Sequence, residues 1–170
     1  MAELPPELQE LLDKQAIHDA LMRYARGVDR CDAELMRSVY HRDAFDHHGP
    51  FQGNAWDFVD QFVPSSRESS TFTQHLIGNL LIEIDGDRAH SEAYFVAYVG
   101  RMEGDQELIG AFGGRYVDRW ERRGGRWGVS HREVVHEWSR GDAVGTDPFE
   151  LPAETFAQPV RGAEDLAFAR

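Results

Sequence analysis

A histidine and an aspartate 46 residues apart hold the chemistry that this sequence offers. His75 stands in Gln74-His75-Leu76-Ile77-Gly78-Asn79, inside an alternating strand pattern. Asp29 ends an amphipathic helix in Gly27-Val28-Asp29. An imidazole on a strand and a carboxylate at a helix end are the two parts of a proton-abstracting dyad. The imidazole takes the proton, and the carboxylate fixes its tautomer and stabilises the resulting cation. If the two side chains meet in a pocket, the chain is a lyase or isomerase. If they do not, Asp29 is a turn-capping aspartate and His75 a structural strand histidine.

Two further residues can assist such a dyad. Arg132 shares a strand face with Val134, His136 and Trp138 if no bulge intervenes. An inward arginine keeps its charge at any working pH and can neutralise a leaving anion or polarise a carbonyl. The other reading of Arg132 is a salt bridge on the open sheet face. Tyr24 lies five residues before Asp29 on the helix, where its hydroxyl is either a general acid or orienting group or the polar tip of a core aromatic. Asp46-His47-His48 has the residue types of a metal site, but neighbours on a strand point to opposite faces, so no metal is expected there. His41 reads as a helix C-terminal cap, and His18 and His90 as solvent-facing. The Arg119-Trp120-Glu121-Arg122-Arg123 stretch reads as a solvated hairpin edge.

The elements that must position these residues divide at about residue 70. Before it the apolar period is helical. A helix is predicted over about 7–30, with Leu8, Leu11, Leu12, Ile17, Leu21, Tyr24, Ala25 and Val28 on its buried face. Asp32 caps a second helix, Ala33 to Tyr40, and Asn54 a third, about 55–63, which Pro64 ends. Residues 43–53 hold a short strand or hairpin turning at Gly49-Pro50. After residue 70 the period is two. Strands are predicted at 71–84, 88–102, 107–122 and 126–138, separated by Asp85-Gly86-Asp87, Glu103-Gly104-Asp105 and Gly124-Gly125. In the first of these, Thr73, His75, Ile77, Asn79 and Leu81 share a face, and Gln74, Leu76, Leu80, Ile82 and Ile84 the other. Three helices and then an antiparallel meander make an α+β fold. A strongly curved sheet around the helices leaves a cone-shaped pocket, with Gly78, Gly110, Gly113 and Gly114 as the candidates for bending it. Tyr94, Val96 and Tyr98 form an apolar set that faces either outward, favouring self-association, or inward. Residues 140–170 read as an irregular tail with a short helix near Ala163-Phe168.

Composition narrows the partners. A length of 170 residues suits one domain with a core of its own. A net charge of −12 disfavours nucleic acid and anionic membrane, which need a basic surface. Lys14 is the only lysine among 18 basic residues, which argues against a Schiff-base mechanism. Cys31 is the single cysteine, read as a buried neutral thiol with no internal disulfide open to it. No CxxC or HExxH spacing occurs, so the common zinc signals are missing and no metal or cofactor is expected. The N-terminus is acidic, broken by Pro5 and Pro6, and unlike a signal peptide, and no apolar run approaches the roughly 20 residues of a membrane span. The expectation is a cytoplasmic protein.

From about Ile17 to Trp138 the chain resembles the SnoaL-like branch of the nuclear-transport-factor-2-like superfamily. The matching pieces are Ala16-Ile17-His18-Asp19-Ala20-Leu21, Tyr24-Ala25-Arg26-Gly27-Val28-Asp29, Gln74-His75-Leu76-Ile77-Gly78-Asn79, Gly114-Arg115-Tyr116 and Trp120-Glu121-Arg122-Arg123-Gly124-Gly125-Arg126-Trp127. The resemblance implies a cone-shaped α+β barrel over residues 1–139, three N-terminal helices packed in a strongly curved antiparallel sheet, with the tail 140–170 outside the pattern. Its layout is similar to scytalone dehydratase, hexachlorocyclohexane dehydrochlorinase, bile acid 7α-dehydratase and polyketide cyclases. By that resemblance Asp29 and His75 are the dyad and Arg132 the arginine that assists the leaving group. Tyr24 matches a tyrosine of the bile acid dehydratase, where the dehydrochlorinase has lysine. The implied activity is therefore a cofactor-independent dehydratase or isomerase acting on a hydrophobic carbonyl or hydroxylated small molecule, such as a steroid, polyketide or aromatic intermediate. The alternative is a non-catalytic ligand-binding module, or an assembly domain like the small subunit of a ring-hydroxylating oxygenase. A homo-oligomer, trimer or dimer, is implied as well.

Overall fold

The structure, a computed structural model, describes residues 4–143. Its elements are α1 (Pro6–Asp29), α2 (Ala33–Arg37), β1 (Tyr40–His48), β2 (Phe51–Asn54), α3 (Ala55–Ser69), β3 (Phe72–Asp85), β4 (Arg88–Glu103), β5 (Gln106–Arg123) and β6 (Arg126–Ala143). The strands form one sheet in the order β2-β1-β6-β5-β4-β3. Strands β3 to β6 are the expected meander. Gly86, Gly104, Gly124 and Gly125 take positive φ in its turns, the backbone that tight hairpins require. The expected wholly antiparallel sheet is corrected to a mixed one, because β1 runs parallel to β6. Those two strands are far apart in the chain, so no tight turn dictates their relative direction.

Three local expectations also change. Helix α2 stops at Arg37 instead of Tyr40. Val39 gives its carbonyl to the Val129 amide, and Tyr40 pairs with Val129, so these residues join the sheet. His41 therefore lies in β1 and not at a helix end, buried, with Nε2 on the Glu121 carbonyl at 2.9 Å. Helix α3 continues through Pro64 to Ser69. Proline in a helix interior costs about 3 kcal/mol, and the burial of Phe58, Val59, Val63 and Ser66 on one face offsets it. Asp32 and Asn54 cap α2 and α3 as expected, accepting from the Leu35 and Trp56 amides at 2.9 Å. Strand β6 runs past residue 139 to Ala143, and the helix expected near Ala163-Phe168 lies outside the described residues.

Bulges set which side chains face the helices. The register of β3 slips between Ile77 and Leu80. His75 and Ile77 face inward before the slip, and Leu80, Ile82 and Ile84 after it. Asn79 and Leu81 thus lose the face they were expected to share with His75. On β6 the pairing with β5 skips Ser130 and again Glu137. Arg132 stays inward, while Trp138 lies opposite Gly113 on the outer face. Gly110 sits in regular ladder. A Cβ at Gly114 would run into the Val135 carbonyl beside the second slip, so the absence of a side chain there lets the strands approach. Tyr94 and Tyr98 are exposed and Val96 partly so, which makes them the outer set. Arg122 pairs with Asp13 and Asp87, and Arg123 with Asp43 and Glu121, so the basic hairpin edge is neutralised.

Among the described residues one ion pair has both side chains fully buried. Arg132 and Asp118 are both 0% exposed. Arg132 Nε and Nη2 donate to the two Asp118 oxygens at 2.7 and 2.6 Å, and Nη1 donates to the Tyr40 hydroxyl at 3.1 Å. The guanidinium is stacked on the Tyr24 and Tyr116 rings at 4.1 and 4.4 Å. Tyr40 in turn donates to Asp46 Oδ2 at 2.6 Å. Burial pushes the Asp118 carboxyl up, and the adjoining guanidinium opposes that. A bidentate, hydrogen-bonded pair of this kind tolerates removal of both partners far better than of one.

Two stability outcomes are expected in urea titrations. Arg132→Met strands the Asp118 charge and costs about 3–5 kcal/mol, and Arg132→Met/Asp118→Leu recovers most of the loss. Gly114→Ala costs about 1–3 kcal/mol by overpacking. Gly78→Ala stays within about 0.5 kcal/mol, because its Cβ would meet only the Tyr94 carbonyl at 3.8 Å.

Candidate functional site

The last turn of α1 packs on β3, and this brings Asp29 to His75. Asp29 Oδ1 lies 2.6 Å from His75 Nδ1. Its other oxygen accepts the His75 backbone N–H at 2.9 Å. The carboxylate therefore grips both the ring and the strand that carries it. An ionised carboxylate only accepts, so Nδ1 carries the hydrogen and Nε2 is the ring nitrogen left for other work. The His75 side chain is 7% exposed and that of Asp29 is 15% exposed.

His75 stands between two openings. Inward is a cavity of about 160 Å³ bounded by α1, α3 and the sheet. Outward is a surface cleft of about 330 Å³ whose lining includes Arg26, Asp29, Arg30 and His75. The cavity is aromatic at its base, where Tyr116 of the lining stacks on Phe95 at 4.4 Å. One wall is polar. The extension of α3 beyond Pro64 brings Ser65, Ser66 and Ser69 to it, beside Thr73 of β3. Two hydroxyls among the lining residues, of Tyr24 and Thr73, are buried and make no hydrogen bond of good geometry, the Tyr24 hydroxyl lying toward Tyr40 and Arg132.

Of the four residues singled out in the sequence, the structure joins Asp29 to His75 and sets Tyr24 in the same cavity wall. Burial pushes the Tyr24 hydroxyl well up, which Arg132 opposes and Asp46 reinforces. Tyr24 is consequently a neutral donor and not a base. Arg132 is placed differently from either sequence reading. It faces inward, yet it is not part of the cavity lining, and its donors point to Asp118 and Tyr40. Direct contact with a leaving anion is thereby corrected, and so is an ion pair on the open face. A guanidinium reaching the cavity would have to leave Asp118 unpaired in the core. Its charge is instead separated from the cavity by the Tyr24 and Tyr116 rings.

One lining residue had no role in the sequence reading. His48 sits in the cavity wall, stacked on Phe58 at 4.4 Å. Its Nδ1 lies 3.3 Å from Asp46 Oδ1. His47, next to it, turns outward to Glu133 at 2.7 Å. The parity of the strand was the available signal, since Asp46 and His48 are two apart and share a face.

The model of a SnoaL-like domain matches residues 9–133. No curated protein matches the sequence. Solved structures share the fold. The hexachlorocyclohexane dehydrochlorinase LinA type 3 of Novosphingobium barchaimii has 22% identity and a TM-score of 0.68, over 86% of this chain and 99% of its own. A protein of Novosphingobium aromaticivorans assigned as a scytalone dehydratase has 18% identity and a TM-score of 0.69, over 77% and 88%. Another from that organism, assigned as the β subunit of an aromatic-ring-hydroxylating dioxygenase, has 22% identity and a TM-score of 0.61, over 76% and 92%. Among the described residues no helix is long and apolar enough to cross a membrane. With helices held in a curled sheet and a family match across most of its length, the chain belongs to the SnoaL-like domain family.

Proposed function

We propose that the protein is a cofactor-independent lyase or isomerase that removes a proton next to a carbonyl in a hydrophobic small molecule. The observation that carries this reading is the Asp29–His75 contact of 2.6 Å at the wall of a mostly apolar cavity. His75 Nε2 takes the proton. Asp29 holds the ring tautomer and stabilises the imidazolium. Thr73, whose hydroxyl is buried without a hydrogen-bond partner, and Tyr24 of the same lining orient the carbonyl or hydroxyl oxygen. Arg132 is a positioning residue, keeping Tyr24 and Tyr116 in place from behind.

The cavity also bears on the substrate. Pockets for drug-sized ligands run to about 300–1,000 Å³, so a space of about 160 Å³ suits one or two fused rings better than a four-ring steroid. A polyketide or aromatic intermediate with a hydroxyl β to its carbonyl fits best. The likeness to an oxygenase β subunit motivates a second reading, an assembly or ligand-binding domain without chemistry.

A β-hydroxytetralone is the probe that separates the two, because loss of water yields fluorescent naphthol. The wild type is expected to form naphthol faster than buffer does. His75→Gln is expected to lose about 10²–10⁴-fold of that rate, and Asp29→Asn to lose a large part of it with the fold intact by circular dichroism. Near-wild-type turnover by purified His75→Gln would sink the mechanism. Binding of the probe with neither elimination nor α-proton exchange in heavy water would favour the second reading.

A further inference from the structure

The cavity holds two histidines, and each has a carboxylate at Nδ1. His75 is backed by Asp29 from α1, and His48 by Asp46 from its own strand. They stand on different flanks of the sheet. From β1 to β3 the order passes through β6, β5 and β4, a path of roughly 19 Å at ~4.8 Å per strand. The curl of the sheet brings both rings to one cavity, where the stacked Phe95–Tyr116 pair links them: His75 is 6.4 Å from Phe95 and His48 6.5 Å from Tyr116, centre to centre. Among the described residues neither Nε2 has a hydrogen-bond partner.

The two pairs differ in how their charge is compensated. Asp29 is partly exposed and adjoins the surface cleft with Arg26 and Arg30, so solvent helps to carry its charge. Asp46 is 0% exposed. Behind it, Asp118 already neutralises Arg132. Counting the buried cluster, the two carboxylates Asp46 and Asp118 face one guanidinium, and the other polar partners of Asp46 are the Tyr40 hydroxyl and the His48 ring. Burial pushes the Asp46 carboxyl up, but the hydrogen bond and charge of His48, together with Arg132 and Tyr40, outweigh it and hold the group below its ordinary value. The 3.3 Å separation of His48 from Asp46 is long, as such contacts often are before a substrate tightens them.

We propose that His48 is a second catalytic residue, the general acid that protonates the leaving hydroxyl while His75 acts as base. This inference rests on the function proposed above. The step balances within the site. His75 Nε2 takes the α-proton, and the C–H electron pair becomes the new carbon–carbon double bond by way of the enolate. The C–O bond breaks, and its electron pair takes the proton from His48 Nε2 to leave as water. Afterwards His75 gives up its proton and His48 regains one, with no net change in the protein. The substrate class is thereby a β-hydroxy carbonyl compound, whose acidic C–H and hydroxyl stand on adjacent carbons between the two imidazoles.

Leaving-group dependence tests this. The β-hydroxytetralone needs a proton on its departing oxygen, whereas the β-acetoxytetralone releases acetate, which needs none. Both give naphthol. The ratio of hydroxyl to acetoxy elimination is expected to fall by about 10²-fold or more in His48→Gln, and to be unchanged in His75→Gln, which slows both reactions alike. His48→Phe, which keeps the stacking on Phe58, provides the same comparison if the glutamine variant does not fold. A ratio equal to that of the wild type in a folded His48 variant overturns the general-acid role and leaves the His75 reading intact. A wild type that eliminates neither probe, and exchanges no α-proton, overturns both.

Discussion

An arginine in the middle of a protein core must be neutralised and hydrogen-bonded, and much of this structure is arranged around that requirement. Arg132 is fully buried. Its charge is met by Asp118 on the neighbouring strand, a further donor by Tyr40, and its faces by the rings of Tyr24 and Tyr116. Those partners come from β5, β1 and α1, so one side chain ties the helix to both halves of the sheet. Isolated buried ions are expensive, and a pair is tolerated only where geometry is good and further hydrogen bonds complete it. That need restricts how α1 can slide against the sheet, and α1 carries Asp29.

The same cluster reaches the cavity without lining it. Through Tyr40 it fixes Asp46, and through Asp46 it orients His48. Through its stacking it holds two of the aromatic walls. On the far side, Asp29 clamps both the ring and the backbone of His75. The cavity is thus bounded by two independently supported imidazoles, an apolar base and a wall of hydroxyls.

A good part of this was legible from the chain. The change of period near residue 70, the glycine turns, and the caps at Asp32 and Asn54 all follow from local rules, and each reappears in the structure. Asp29 and His75 were recognisable because a carboxylate at a helix end and a histidine in a strand keep their meaning wherever the two elements meet. His48 was passed over because Asp46-His47-His48 was weighed only as a metal triplet and set aside as one. Alternation already placed Asp46 and His48 on one face, but not whether that face was the inner one.

What the sequence determined by itself was the kind of each element, its approximate limits and the residue types available for acid–base chemistry. Backbone propensity and side-chain periodicity are local, so they are written locally. Tertiary structure alone decided the parallel pairing of β1 with β6, the slips at Gly78-Asn79, Ser130 and Glu137, and the continuation of α3 through Pro64. A single slip reverses every later side chain on a strand, and nothing in the alternation announces it. It likewise decided that Arg132 would be part of the core and not of the cavity, because only the assembled neighbours settle where a buried charge finds its partner.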